Sequence, residues 1–83
     1  MIKTINLKQF GSELNTRALA SNIFSCEEKN SVLTLDFQGV KTTSPSFCHE
    51  MLTILMKDKE AKIKFENVND DIKTQLSKAK DSL

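Results

Sequence analysis

Along the chain, apolar residues recur at every second position and then at every third or fourth, and these two periods alternate three times. IKTINL, Ile2 to Leu7, alternates weakly and predicts a strand, which Gly11-Ser12 interrupts. SELNTRALASNIF, Ser12 to Phe24, predicts a helix with Leu14, Ala18 or Leu19, and Ile23 along its apolar stripe. Ser12 is a plausible N-cap, with Glu13 placed where the helix dipole favours negative charge. Thr16 is an alternative cap that would shorten the helix by a turn. CEEKNS is a polar connection. VLTLDF, Val32 to Phe37, is the most continuously apolar stretch and therefore the predicted central strand, with Leu33, Leu35 and Phe37 on one face and Val32, Thr34 and Asp36 on the other.

After the loop QGVKTT, in which Gly39 is free to take a positive φ, a helix is predicted from Pro45 to Lys57. Phe47, Met51 and Leu55, with Cys48 and Leu52, give it a wide buried face. AKIKFEN alternates strictly and predicts a strand, with Ile63 and Phe65 inward and Lys62, Lys64 and Glu66 outward. The last helix starts at Asn69, a good N-cap. Asp70 and Asp71 occupy its positive end, while Lys73, Lys78 and Lys80 come later, as the negative end prefers. Ile72, Leu76, Ala79 and Leu83 form its stripe.

The order β-α-β-α-β-α implies an α/β domain with a parallel or mixed sheet and right-handed crossovers. The polar outer positions of the last strand place the helices mainly on one face, leaving the other solvated or awaiting a partner. With 83 residues, the chain reads as a single domain, 1–83. A domain this small is marginal alone, so a partner or a dimer is expected.

Charge narrows the function classes. The net charge is +1, and basic and acidic residues interleave, nearly alternating in KDKEAKIKFE, Lys57 to Glu66. A nucleic-acid surface needs a face of one sign with aromatics to stack on bases, so nucleic acid is not expected as a partner. No stretch is apolar enough to span a membrane, and MIKTINLKQF lacks a signal-peptide core, so a cytoplasmic protein is expected. Cys26 and Cys48 form no CxxC pattern and read as free thiols. With one histidine they fall short of a zinc set, and neither metal nor cofactor is expected.

TTSPSFCHEM, Thr42 to Met51, concentrates four hydroxyls, the single proline and the single histidine just beyond the central strand. Ser44-Pro45 is a strong helix-start signal, because serine caps exposed amides and proline fits the first helical position. Ser46 then falls in the first turn, is not needed as the cap, and should reach solvent. A phosphate on Ser46 would sit at the positive end of a helix and add close to two negative charges there, enough to repel or recruit a partner. Helix starts beyond central strands are also where α/β folds place their sites.

VLTLDFQGVKTTSPSFCHEMLTIL resembles the STAS segment of anti-sigma factor antagonists that runs from a buried LDL-type strand through a Gly-Val loop to an Asp-Ser-Ser-Gly helix start. It is more similar to the STAS-like domain family of unknown function, in which Ser-Pro-Ser-Phe opens the helix, and KIKFENVNDDIKTQL fits that family's second block. The resemblance covers roughly Val32 to Leu76, and more loosely TRALA. It implies a small STAS-like two-layer fold and a bacterial regulatory protein. In STAS antagonists an ATP-binding kinase phosphorylates the second serine of Asp-Ser-Ser-Gly and so switches partners. That serine corresponds to Ser46. Ser44, Pro45 and Phe47 replace the motif's aspartate, first serine and glycine, which removes a charge beside the acceptor and crowds the helix start. Asp36 corresponds to the aspartate of the LDL-type strand.

An enzyme is not expected. Cys48 and His49 point about 100° apart on a helix, Ser46 and His49 are three apart and could touch, but no oxyanion hole or Gly-rich loop accompanies them. His49 reads as a solvated outer-face residue, and Asp36 as a support for the loop. Asp70-Asp71 is explained by helix capping, and Met51 and Met56 fill gaps in or near the core.

Two readings of function remain. One is a regulatory binding module that docks a protein partner, an ATP-binding kinase or an anti-sigma-like factor, through Asp36, Gly39, Thr42, Thr43, Ser44, Ser46 and His49, switched by phosphorylation at Ser46. The other is a constitutive interaction or scaffold module of the same fold, without a switch. Examples are a homodimer closed over its open sheet face, or a small inhibitor encoded by a phage or mobile element.

Overall fold

The structure is a computed structural model that describes residues 2–83. Its main sheet has three strands, β1 (Ile2–Asn6), β3 (Val32–Asp36) and β5 (Lys62–Glu66), in the order β1-β3-β5. All pairings are parallel, so of the two expected sheet types the parallel one forms. β3 lies in the middle, as its apolar run predicts. A second, two-stranded parallel pair joins β2 (Glu13–Leu14) to β4 (Thr42–Thr43).

The register separates the faces. Ile2, Val32 and Lys62 align, as do Thr4, Thr34 and Lys64, and then Asn6, Asp36 and Glu66. None of these side chains is buried, and Ile2 is 81% exposed. Ile5, Leu33 and Leu35 point the other way into the core. There they meet α1 (Arg17–Phe24), α2 (Pro45–Leu52) and α3 (Asp70–Asp81), of which α2 packs against both other helices. The result is a two-layer α/β domain with one face of its sheet open. Phe24, Phe37 and Phe47 are fully buried, and the rings of Phe24 and Phe47 meet edge to face at 6.3 Å. Burial of such side chains is worth about 1.5–3 kcal/mol each before entropy is subtracted.

Three expectations need correction. The first helix starts at Arg17, not Ser12: Thr16 is its cap, accepting from the Leu19 amide at 3.0 Å. The Ser12 carbonyl instead accepts from the Lys41 amide at 2.8 Å, which draws Glu13 and Leu14 into a strand and buries Leu14 there. The stripe of α1 is Ala20, Ile23 and Phe24, and Ala18 is exposed.

The second helix keeps its length but widens after Leu52 into a π-helical stretch, Thr53–Asp58, in which the Lys59 amide donates to Ile54 at 2.9 Å. Finally, Phe65 is on the inward face of β5 but remains 38% exposed, because α3 does not cover the sheet's edge.

Candidate functional site at the start of α2

Most of the hydroxyl cluster is structural. Ser44 does double duty: its Oγ accepts from the Phe47 amide at 3.0 Å and donates to the Asn15 carbonyl at 2.8 Å. Its own amide donates to Leu14 at 3.0 Å, so the cap also stitches α2 to β2. Thr43 is buried in β4, with Oγ1 3.2 Å from Cys48 Sγ. Thr42 Oγ1 donates to Asp71 Oδ2 at 2.8 Å, and the Asn69 side-chain amide donates to the Lys41 carbonyl at 3.1 Å. Asp71 and Asn69, read as helix-capping residues, thus also fasten the loop.

Asp36 supports the other end of the loop. Its Oδ1 accepts from the Gln38 amide at 2.9 Å and from the Asn67 side chain at 2.8 Å. The Asn67 bond first, and the Gln38 amide second, hold the Asp36 carboxyl below the ordinary aspartate range. Among the described residues no hydrogen bond joins Asp36 to the hydroxyls of residues 42–46. Gly39 takes φ +85° at the turn, and a Cβ there would sit 3.1 Å from the Lys8 side chain. Five of the seven candidates, Asp36, Gly39, Thr42, Thr43 and Ser44, therefore shape the segment.

Ser46 and His49 remain. Ser46 is exposed on the first turn of α2, and among the described residues its hydroxyl makes no hydrogen bond. His49 is not on a free outer face. It is half-buried, because the end of α3 packs beside it, and its Nδ1 is enclosed without a partner among the described residues. Ser46 and His49 line a shallow pocket of about 250 Å³ with Arg17, Lys78 and Ser82. Arg17 reaches Glu50 of α2 at 3.0 Å, which places a guanidinium beside the Ser46 turn.

Arg17 and Lys78 were missed by sequence reasoning. Arg17 left a signal, since a cation in the first turn of a helix runs against the dipole and implies a carboxylate elsewhere. Lys78 left none, because only the packing of α3 on α2 brings it near.

The arrangement is a poor nucleophilic centre. Cys48 is fully buried, and burial pushes its thiol up despite the bond to Thr43. Ser46 and His49 share the pocket without a hydrogen bond between them. Among the described residues no three His, Cys, Asp or Glu side chains gather as a metal set would. No helix among them is long and apolar enough to cross a membrane.

The model of the STAS-like domain of unknown function (DUF4325) matches residues 20–73, well over half of the chain. The chain belongs to this family. The match holds every candidate site residue from Asp36 to His49, while β1, β2 and the end of α3 lie outside it. Of the basic residues around Ser46 in this STAS-like domain, Arg17 and Lys78 both fall beyond the matched span. Searches of curated proteins and of solved structures returned no match.

Proposed function

We propose that this STAS-like domain is a non-enzymatic regulatory binding module, that a protein partner reads the start of α2, and that phosphorylation of Ser46 switches the contact. One observation carries the reading: of four neighbouring hydroxyls, Thr42, Thr43 and Ser44 are engaged, whereas that of Ser46 is exposed and makes no hydrogen bond among the described residues. A phosphate on Ser46 would bring about −1.5 to −2 charges to a helix N-terminus. Arg17 and Lys78 border the same pocket, so the domain could hold that charge without unfolding, and Arg17 would be contested between the phosphate and Glu50.

The family's likeness to STAS antagonists supports an ATP-binding kinase or an anti-sigma-like protein as the partner class. The exposed Ser46 also fits a partner-binding surface better than chemistry, since no hydrogen bond joins it to His49, the base beside it.

The fastened loop favours one competing reading, a preformed surface that binds constitutively. Ser46→Glu separates the two. The switch reading expects unchanged thermal stability together with at least tenfold altered affinity for whichever protein the unaltered chain retains when purified from its own cells. Unchanged affinity would leave the constitutive module.

A further inference from the structure

The outer edge of β5 is built differently from the rest of the surface. Among the described residues, β5 has a strand neighbour on one side only. The Lys62 amide donates to Ser31 at 2.8 Å, and the Glu66 carbonyl accepts from Phe37 at 3.0 Å, so these residues turn their backbone groups toward β3. By the alternation of a strand, Ile63 and Phe65 turn their N–H and C=O groups outward.

Beside this edge, a groove of about 530 Å³ runs between β5 and α3, lined by Leu52, Met56, Val68 and Leu76 together with Ile63 and Phe65. Met56 and Phe65 are 41% and 38% exposed there. The opposite edge is guarded. Lys3 of β1 aligns with Leu33 on the helix-covered side and pairs with the buried Glu27 at 2.9 Å, a half-exposed charge at that edge that discourages strand addition.

We propose that the β5 edge docks a second copy of this chain, the two β5 strands running antiparallel about a two-fold axis at Lys64. The strand is self-complementary in that register. Ile63 faces the partner's Phe65, and Phe65 faces the partner's Ile63. Both are hydrogen-bonded pairs, so all four outward groups of each strand are satisfied. Lys62 then faces the partner's Glu66 twice, on the open face. The like pair at the axis, Lys64 with its copy, stands in solvent, and each Lys64 has its own Glu66 at 3.7 Å.

Other registers fit worse. A shift by two residues in one direction sets Lys62 against Lys64 and leaves Phe65 without a strand partner. A shift in the other brings Asn67, at φ +57°, into the ladder. On the helix-covered side, the Ile63–Phe65 pairs extend along the mouth of both apolar grooves, which a polar peptide would leave uncovered. The sheet becomes six-stranded, and this contact does not involve Ser46.

The register makes the test specific. Cα atoms of a non-hydrogen-bonded antiparallel pair lie about 4.5 Å apart, inside the about 4.4–6.8 Å range of a disulfide. In a Cys26→Ser background, Lys64→Cys is expected to form a disulfide-linked dimer on mild oxidation. Lys62→Cys alone is not. Sedimentation equilibrium of the unaltered chain should show a monomer–dimer equilibrium. Ile63→Pro, which removes an outward N–H and leaves the bonds to β3, should shift that equilibrium to monomer with unchanged circular dichroism. Because cross-linking needs no proline, the proposal stays testable if Ile63→Pro fails to fold. A chain that remains monomeric into the millimolar range would overturn it. So would a dimer in which Lys64→Cys does not cross-link.

Discussion

The Asn67 side chain donates to Asp36 Oδ1 at 2.8 Å and ties the end of β5 to the end of β3, beneath the loop that leads to α2. Asn67 sits at φ +57°, a left-handed conformation that asparagine tolerates better than most residues. The pair therefore fixes both strand ends at the point where the candidate surface begins.

This bond sets an acid dependence. Asp36 has its carboxyl pKa lowered in the folded state, by Asn67 first and the Gln38 amide second. Its contribution is present above the unfolded aspartate value of about 3.9 and is lost as pH falls through the folded value. Asp36→Asn should flatten the loss of stability between neutral and acid pH, as followed by urea unfolding. An unchanged acid limb would show that Asp36 is not held as described.

The two serines flanking Pro45 should separate cleanly. Ser44→Ala removes the cap of α2 and the tie to Asn15, and should cost about 0.5–2 kcal/mol or somewhat more. Ser46→Ala removes no hydrogen bond among the described residues and should stay within about 0.5 kcal/mol of the unaltered chain. Chemical denaturation of both variants checks the ordering.

Leu35 is fully buried at the centre of β3. Leu35→Ala should cost about 2–5 kcal/mol, enough to unfold much of a domain this size. Far-ultraviolet circular dichroism at growth temperature would show the loss.

The thiols should differ sharply. Cys26 is exposed, whereas Cys48 is buried with its thiol raised by burial. A thiol reagent at neutral pH should titrate one cysteine in the native protein and two in denaturant. Rapid reaction of both in the native state would contradict the packing of α2.

What the sequence disclosed depended on how local the signal was. Ser44-Pro45 and Asn69 act within one turn of their helices, and both caps form where their residue types place them. The central strand was legible because β3 is buried on its helix side and flanked on both edges. Ser12 and Thr16 were locally equivalent caps, and the choice between them came from Lys41, far along the chain, which claims the Ser12 carbonyl. Alternation placed Phe65 on the right face of β5 but carries no information on whether a helix reaches that edge. The pocket around Ser46 was half legible: its serine and histidine are neighbours in sequence, while Arg17 and Lys78 arrive only through the packing of α1 and α3 on α2.

The proposed switch depends on a phosphate reaching the exposed hydroxyl of Ser46. Intact mass with phosphosite mapping, on protein recovered from its own cells with its partners retained, tests it most directly. A switch at this serine predicts a fraction of chains carrying one phosphate, mapped to Ser46 and depleted from the partner-bound pool. A chain unmodified across growth conditions, or a phosphate on Thr42 or Ser44 instead, would contradict it.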